Sequence, residues 1–99
     1  MVTRIVKMTF RTESVEAFMD IFERYKLHIR NAEGCQHLSL LRDKKQPNIF
    51  FTYSHWTDES YLDQYRESEL FGVVWPLTKA LFAEPAQAWT LDESVVLRN

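Results

Sequence analysis

The stretch Asn48-Ile-Phe-Phe-Thr-Tyr-Ser-His-Trp56 restricts the fold more than any other. It is rich in aromatic and β-branched residues and follows the turn signal Gln46-Pro47-Asn48, which predicts a strand. Ile49, Phe51, Tyr53 and His55 share one face; Phe50, Thr52, Ser54 and Trp56 share the other. Both faces carry aromatics, so neither is built for water and the strand needs cover on both sides. It stops at Thr57-Asp58, either of which can cap a following helix. Asp58 and Glu59 suit the positive end of that helix's dipole. The helix, from about Asp58 to Glu67, lays Tyr61, Leu62 and Tyr65 along one face.

The rest of the chain supplies partners for this strand. Val2 to Phe10 reads as a first strand, with Arg4, Val6, Met8 and Phe10 on one face and Ile5, Lys7 and Thr9 on the other. Thr12 or Ser14 can cap a long helix placed at Glu13 to Ala32. Val15, Phe18, Phe22, Tyr25 and Ile29 recur at helical spacing and form one apolar stripe, widened by Ile21. Gly34 is its natural stop, as a left-handed residue after the last turn. Cys35 to Asp43 reads as a second strand, although Leu38, Leu40 and Leu41 blur its alternation. Asp43 to Asn48 is a polar hairpin loop. Beyond the second helix Ser68 can cap another, and Leu70, Phe71, Val74, Leu77 and Leu81 continue a helical period. Pro76 removes a backbone hydrogen bond and presses on the carbonyl of Gly72, which predicts a kink or break near Val74–Trp75. Pro85 closes the helical region. Ala86 to Leu91 is a last strand, and the tail from Asp92 to Asn99 reads as a strand extension or an arm onto a partner.

The order is β-α-β-β-α-β. Right-handed crossovers and hairpin adjacency favour an α+β fold: a four-stranded antiparallel sheet with the helices on one face, the ferredoxin-like arrangement. The other sheet face is then bare. An aromatic face of that extent invites association, and a second copy packed sheet to sheet, a homodimer, covers it.

Length and composition bound the rest. Ninety-nine residues make one domain, residues 1–99. With 45% hydrophobic residues and only two glycines, the chain is a folded globule. Its 12 basic and 14 acidic residues are interspersed, with no basic run of the kind that nucleic acid or a membrane surface selects. No segment approaches the length of a membrane span, and Met1 to Lys7 lacks the apolar core of a signal peptide. Cys35 stands alone, so no internal disulfide can form and a reducing compartment is expected. Together these predict a soluble cytoplasmic protein.

The short strand Arg4-Ile-Val-Lys-Met-Thr-Phe10, the turn Glu33-Gly34-Cys35, the junction Trp56-Thr57-Asp58-Glu59 and the segment Tyr65-Arg-Glu-Ser-Glu-Leu-Phe71 occur in a telling order. In that order and spacing the chain resembles the antibiotic biosynthesis monooxygenase-like family of the dimeric α+β barrel superfamily. The resemblance implies a ferredoxin-like protomer, a homodimer whose sheets form a barrel, and a pocket in each protomer between sheet and helices. Members of that family include monooxygenases that oxidise phenols or quinols without metal or flavin; others degrade haem, and one type acts on a quorum-sensing signal. Haem-degrading members carry an Asn on strand one, a Trp in the second helical region and a His after it. Val6, Tyr65 and Trp75 stand at those places here, so haem degradation is not expected. Many other members have a His in the helix after the third strand, where this chain has Tyr65.

Several residues are candidates for chemistry. His28 near the end of the first helix reads as a surface histidine favoured by the dipole. His37 and His55 lie on strands; each is either structural or a pocket base able to take a phenolic proton. No His, Cys, Asp or Glu cluster has metal-ligand spacing, so no metal is expected. Cys35 reads as a small buried hydrophobe. Tyr61, Tyr65, Phe71 and Trp75 are either core or the wall of an aromatic site. Arg4 and Arg42 either bind an anion or simply end strands. The reading that follows is a cofactor-independent monooxygenase acting on a small phenolic, quinol or polyketide-like aromatic. His37, His55 and Tyr65 are its catalytic candidates, and Tyr61, Tyr65, Phe71 and Trp75 its substrate-binding ones. The alternatives are a non-catalytic small-molecule-binding dimer, or an isomerase or lyase on a small carbonyl compound.

Overall fold

A computed structural model describes residues 1–97. Four antiparallel strands, β1 (Val2–Thr9), β2 (Cys35–Arg42), β3 (Ile49–Trp56) and β4 (Gln87–Asp92), form one sheet in the order β2-β3-β1-β4. Three helices, α1 (Val15–Arg30), α2 (Glu59–Arg66) and α3 (Glu69–Lys79), complete the ferredoxin-like α+β fold. None of the described helices is long and apolar enough to cross a membrane.

The apolar stripes fix which face is covered. Met8, Phe10, Phe18 and Phe50 form one fully buried cluster, against which Val6, Val15, Phe22 and Leu40 pack. Phe10 stacks on Phe18 at 4.2 Å and meets Phe50 edge-on. A second cluster at the other end joins Cys35, Trp56 and Leu62. The even-numbered residues of β1 and β3 therefore face the helices. Burying such rings contributes roughly 1.5–3 kcal/mol each.

The helix ends follow their capping residues. The Asp58 carboxylate accepts from the Ser60 amide at 3.0 Å and starts α2. The Ser68 hydroxyl accepts from the Phe71 amide at 3.2 Å and starts α3. The first helix begins later than expected, because Thr12–Ser14 is a 3-10 turn and neither Thr12 nor Ser14 makes a side-chain cap. Gly34 takes φ +82 but is not the helix stop that was expected: α1 ends at Arg30 with Asn31 as its C-cap, and Gly34 serves the next turn, which the Cys35 amide closes by donating to the Ala32 carbonyl at 3.0 Å. In the β2–β3 hairpin the Asp43 carboxylate accepts from the amides of Lys45 and Gln46.

Two further expectations are corrected, and the ambiguity of the β2 leucines is resolved. Pro76 does not break the helix: α3 runs through it to Lys79. Pro76 and Gly72 both lie on the solvent side, where the freed Gly72 carbonyl can tilt to water. The leucines of β2 resolve by plain alternation, since all three follow the bulge between Cys35 and His37, and that bulge lets Cys35 share the side of Leu38 and Leu40. Leu38 and Leu40 then face the helices, while Leu41 is exposed on the other face. Residues 93–97 form no strand, so the tail is not a strand extension there. Arg98 and Asn99, the end of the expected arm, lie outside the described residues.

Candidate functional site

Between sheet and helices lies a cavity of about 320 Å³. It exists because the sheet side chains beneath it are short. Thr52 and Ser54 on β3, with Ala86 just before β4 and Ala88 on it, leave space that larger residues would fill. Above, the chain turns at Glu67-Ser68 between α2 and α3, so the two helices roof it from different directions. Its walls are mostly apolar, as a small-molecule site requires.

An unbroken run of aromatic contacts crosses this roof. Trp56 stacks on Tyr65 at 5.3 Å, Tyr65 meets Phe71 edge-on at 5.4 Å, and Phe71 stacks on Trp75 at 5.7 Å. Trp56 anchors the run: it is 1% exposed and its indole N–H donates to the Ser54 hydroxyl at 3.0 Å. Tyr65, Phe71 and Trp75 all line the cavity.

The polar groups in the cavity are few. The Thr78 hydroxyl is consumed by the Val74 carbonyl at 2.8 Å. No protein group among the described residues bonds the Tyr65 hydroxyl. That hydroxyl is also not sealed away, since no fully buried side-chain polar atom among those residues is left unpartnered. Burial of the ring, with a smaller push from Cys35, raises the Tyr65 pKa to about 12, so the phenol stays protonated at neutral pH. Thr52, Ser54, Arg4 and Arg66 complete the polar lining; no His, Asp or Glu contributes. Among the described residues no three His, Cys, Asp or Glu side chains are grouped to hold a metal ion.

The structure brings Tyr65, Phe71 and Trp75 together but leaves the other candidates elsewhere. Tyr61 does not line the cavity. Its ring packs on Gly34, where an added Cβ would overlap it. His37 and His55 lie on the opposite face of the sheet, paired across β2 and β3 with ring centroids 5.4 Å apart. His55 Nδ1 sits 3.0 Å from the Thr3 hydroxyl and 3.4 Å from a Glu93 carboxylate oxygen. His37 Nε2 bonds the Ser39 hydroxyl. Neither histidine is therefore brought to the cavity that Tyr65 lines. The alternation of β3 already separates them, because His55 and Trp56 are neighbours and point to opposite faces. His28 is exposed at the end of α1. Arg42 is structural, donating to the Pro47 carbonyl at 2.7 Å and lying over the Phe50 ring. The Cys35 thiol is buried, which pushes its pKa up. Sequence reasoning missed Arg66; its place one residue after Tyr65, at the end of α2, was the available signal.

The comparisons with known proteins agree with this architecture. Residues 1–74 match the family described as Antibiotic biosynthesis monooxygenase. Among solved structures, one named antibiotic biosynthesis monooxygenase superposes with a TM-score of 0.88 at 22% identity, covering 93% of this chain and 97% of that one. A conserved protein from Methanosarcina mazei Go1 gives 0.85 at 24% identity, covering 91% and 90%. A Mycobacterium tuberculosis protein gives 0.84 at 16% identity, covering 99% and 96%. At these identities the likeness establishes the fold. No curated protein matches the chain.

Proposed function

The chain belongs to the antibiotic biosynthesis monooxygenase family, and from that premise we propose that it is a cofactor-independent monooxygenase of a small phenolic, quinol or polyketide-like aromatic. The observation that carries this reading is the cavity walled by Tyr65, Phe71 and Trp75. Flat rings on apolar walls favour a flat aromatic ligand. In such chemistry the substrate itself reduces oxygen. A phenol's ring C–H carbon takes one oxygen atom of O₂ and becomes a carbonyl. The second oxygen atom leaves as water with the two hydrogens lost from C–H and O–H. Four electrons pass from substrate to O₂. The protein's part is to hold the ring, exclude water and stabilise negative charge on the reacting oxygen. Tyr65 suits the last of these roles, because its phenol stays protonated and its hydroxyl is free of protein partners, so it donates to that oxygen.

His37 and His55 take a different place in this reading. They belong to the open sheet face, which we infer is covered by a second copy of the chain. Ile5 stands between Tyr53 and Trp89 there, and Thr3 between His55 and Leu91. Trp89 and Leu91 remain 43% and 46% exposed in the single chain, an apolar surface that sheet-to-sheet pairing would bury.

A second reading, a non-catalytic binding dimer, is favoured by one observation: no His or carboxylate reaches the cavity to take a proton. Oxygen consumption with a panel of phenols and quinols separates the two. Uptake of one O₂ per substrate supports the oxygenase; binding of panel members with no uptake by any of them supports the binder.

A further inference from the structure

Two arginines line the rim of the cavity, near enough for the charge of one to act on the other. Arg4 reaches it from β1 and Arg66 from the last turn of α2. Arg4 Nη1 donates to the Thr90 hydroxyl at 2.7 Å, which orients the group and leaves most of its five donors unused. Among the described residues no carboxylate lies within ion-pair distance of either arginine. Asp63, on the exposed side of α2, acts on Arg4 only through space. Partial burial and the positive charge of Arg66 both push the Arg4 pKa down. Two like charges on separate elements, turned to one cavity with no anion between them, repel each other. A bound anion would remove that cost. Neither residue has a structural role that needs its charge. Arg4 pairs with Thr90 on an edge strand, and Arg66 is exposed.

We propose that this rim is an anion subsite, in which Arg4 and Arg66 hold the carboxylate of an aromatic acid while its rings lie against Tyr65, Phe71 and Trp75. The planar guanidinium matches a carboxylate with two parallel hydrogen bonds. The rest of the cavity is lined mainly by apolar residues such as Val6, Met8, Phe18 and Leu38, with the hydroxyls of Thr52, Ser54 and Thr78 but no further charged group. The ligand is thus amphipathic, with flat apolar rings and one anionic end. The proposal rests on the cavity being the substrate site, and it narrows the substrate from any electron-rich aromatic to an acidic one.

The test is equilibrium binding of 2-naphthoate and of 2-naphthamide, its neutral isostere, to the full chain by calorimetry at low salt. The wild type should bind the acid at least tenfold more tightly, and added salt should erode that preference. Arg66→Gln, at an exposed position, should reduce the preference several-fold without affecting the fold. Adding Arg4→Gln should abolish it while leaving amide binding in place. Equal affinity for acid and amide, binding of neither, or a preference that survives both substitutions overturns the proposal. Oxygen uptake is not read here, so an absent oxygenase activity would leave this result standing, and the converse holds.

Discussion

The Tyr65 ring stacks on the Trp56 indole at 5.3 Å with 27° between their planes. Trp56 ends β3 and is held by its own hydrogen bond to Ser54, so a buried residue of the sheet sets the position of a helix side chain that borders the cavity. Its hydroxyl is the part of Tyr65 that this packing does not use. Tyr65→Phe should therefore keep stability within about 1 kcal/mol. The same change should weaken binding or turnover of a phenolic ligand several-fold. Urea unfolding beside ligand titration reads both; a large stability loss with intact binding would make Tyr65 plain core.

Ionisation of Tyr65 gives a pH signature. Burial favours the neutral phenol and raises its folded pKa to about 12, above the value near 10 of an exposed tyrosine. The unfolded chain thus gives up this proton first. The stability it supports is full below about pH 10 and is lost as pH rises toward 12. Phenolate absorbance should show one of the four tyrosines ionising late, and Tyr65→Phe should remove that late step. A titration with no late step that Tyr65→Phe removes would contradict the burial.

Gly34 and Tyr61 form a second close pair. Gly34 has φ +82, and an added Cβ would overlap the Tyr61 ring. Gly34→Ala should cost about 2–4 kcal/mol, from backbone strain and overpacking together. In a Tyr61→Ala background the overlap disappears and only the strain remains, so the same change should cost clearly less. Equal costs in both backgrounds would show that the ring gives way freely.

The open sheet face predicts an assembly. Sedimentation at micromolar concentration should give twice the chain mass. Tyr53→Asp, with Ile5 and Ser39 on either side of it, places an unpaired charge at the centre of that face and should shift the mass to that of one chain. The cluster around Phe10 and Phe18 lies on the other side of the sheet, so the dissociated chain should keep its helical circular dichroism.

Much of the fold was legible because its signals are local. Asp58 and Ser68 cap the helices they were expected to cap, Gly34 takes the left-handed conformation, and the stripe from Val15 to Ile29 is the buried face of α1. Pro76 misled because a proline's cost depends on which side of the helix loses the bond, and that is a tertiary fact. The candidate site was legible only in its aromatic half. Tyr65 lies on the apolar face of α2, and Phe71 and Trp75 stand one turn apart on α3, so each helix's share of the wall could be read from its period. Arg4 and Arg66 lie 62 positions apart, and only the crossover of α2 over the sheet brings them to one rim. The histidines were assigned to a pocket by residue type, where strand parity separates His55 from Trp56.

The central claim is that this one cavity binds the aromatic whose oxidation consumes O₂. The most direct test is oxygen uptake with the phenol and quinol panel, comparing the wild type with Ala88→Phe. Ala88 is exposed on the edge strand and lines the cavity, so a phenyl group there fills the space without disturbing the buried clusters. We expect the wild type to consume one O₂ per substrate oxidised and Ala88→Phe to lose that uptake while unfolding at an unchanged urea concentration. Uptake that persists undiminished in a folded Ala88→Phe protein would place the chemistry outside the cavity and contradict this account.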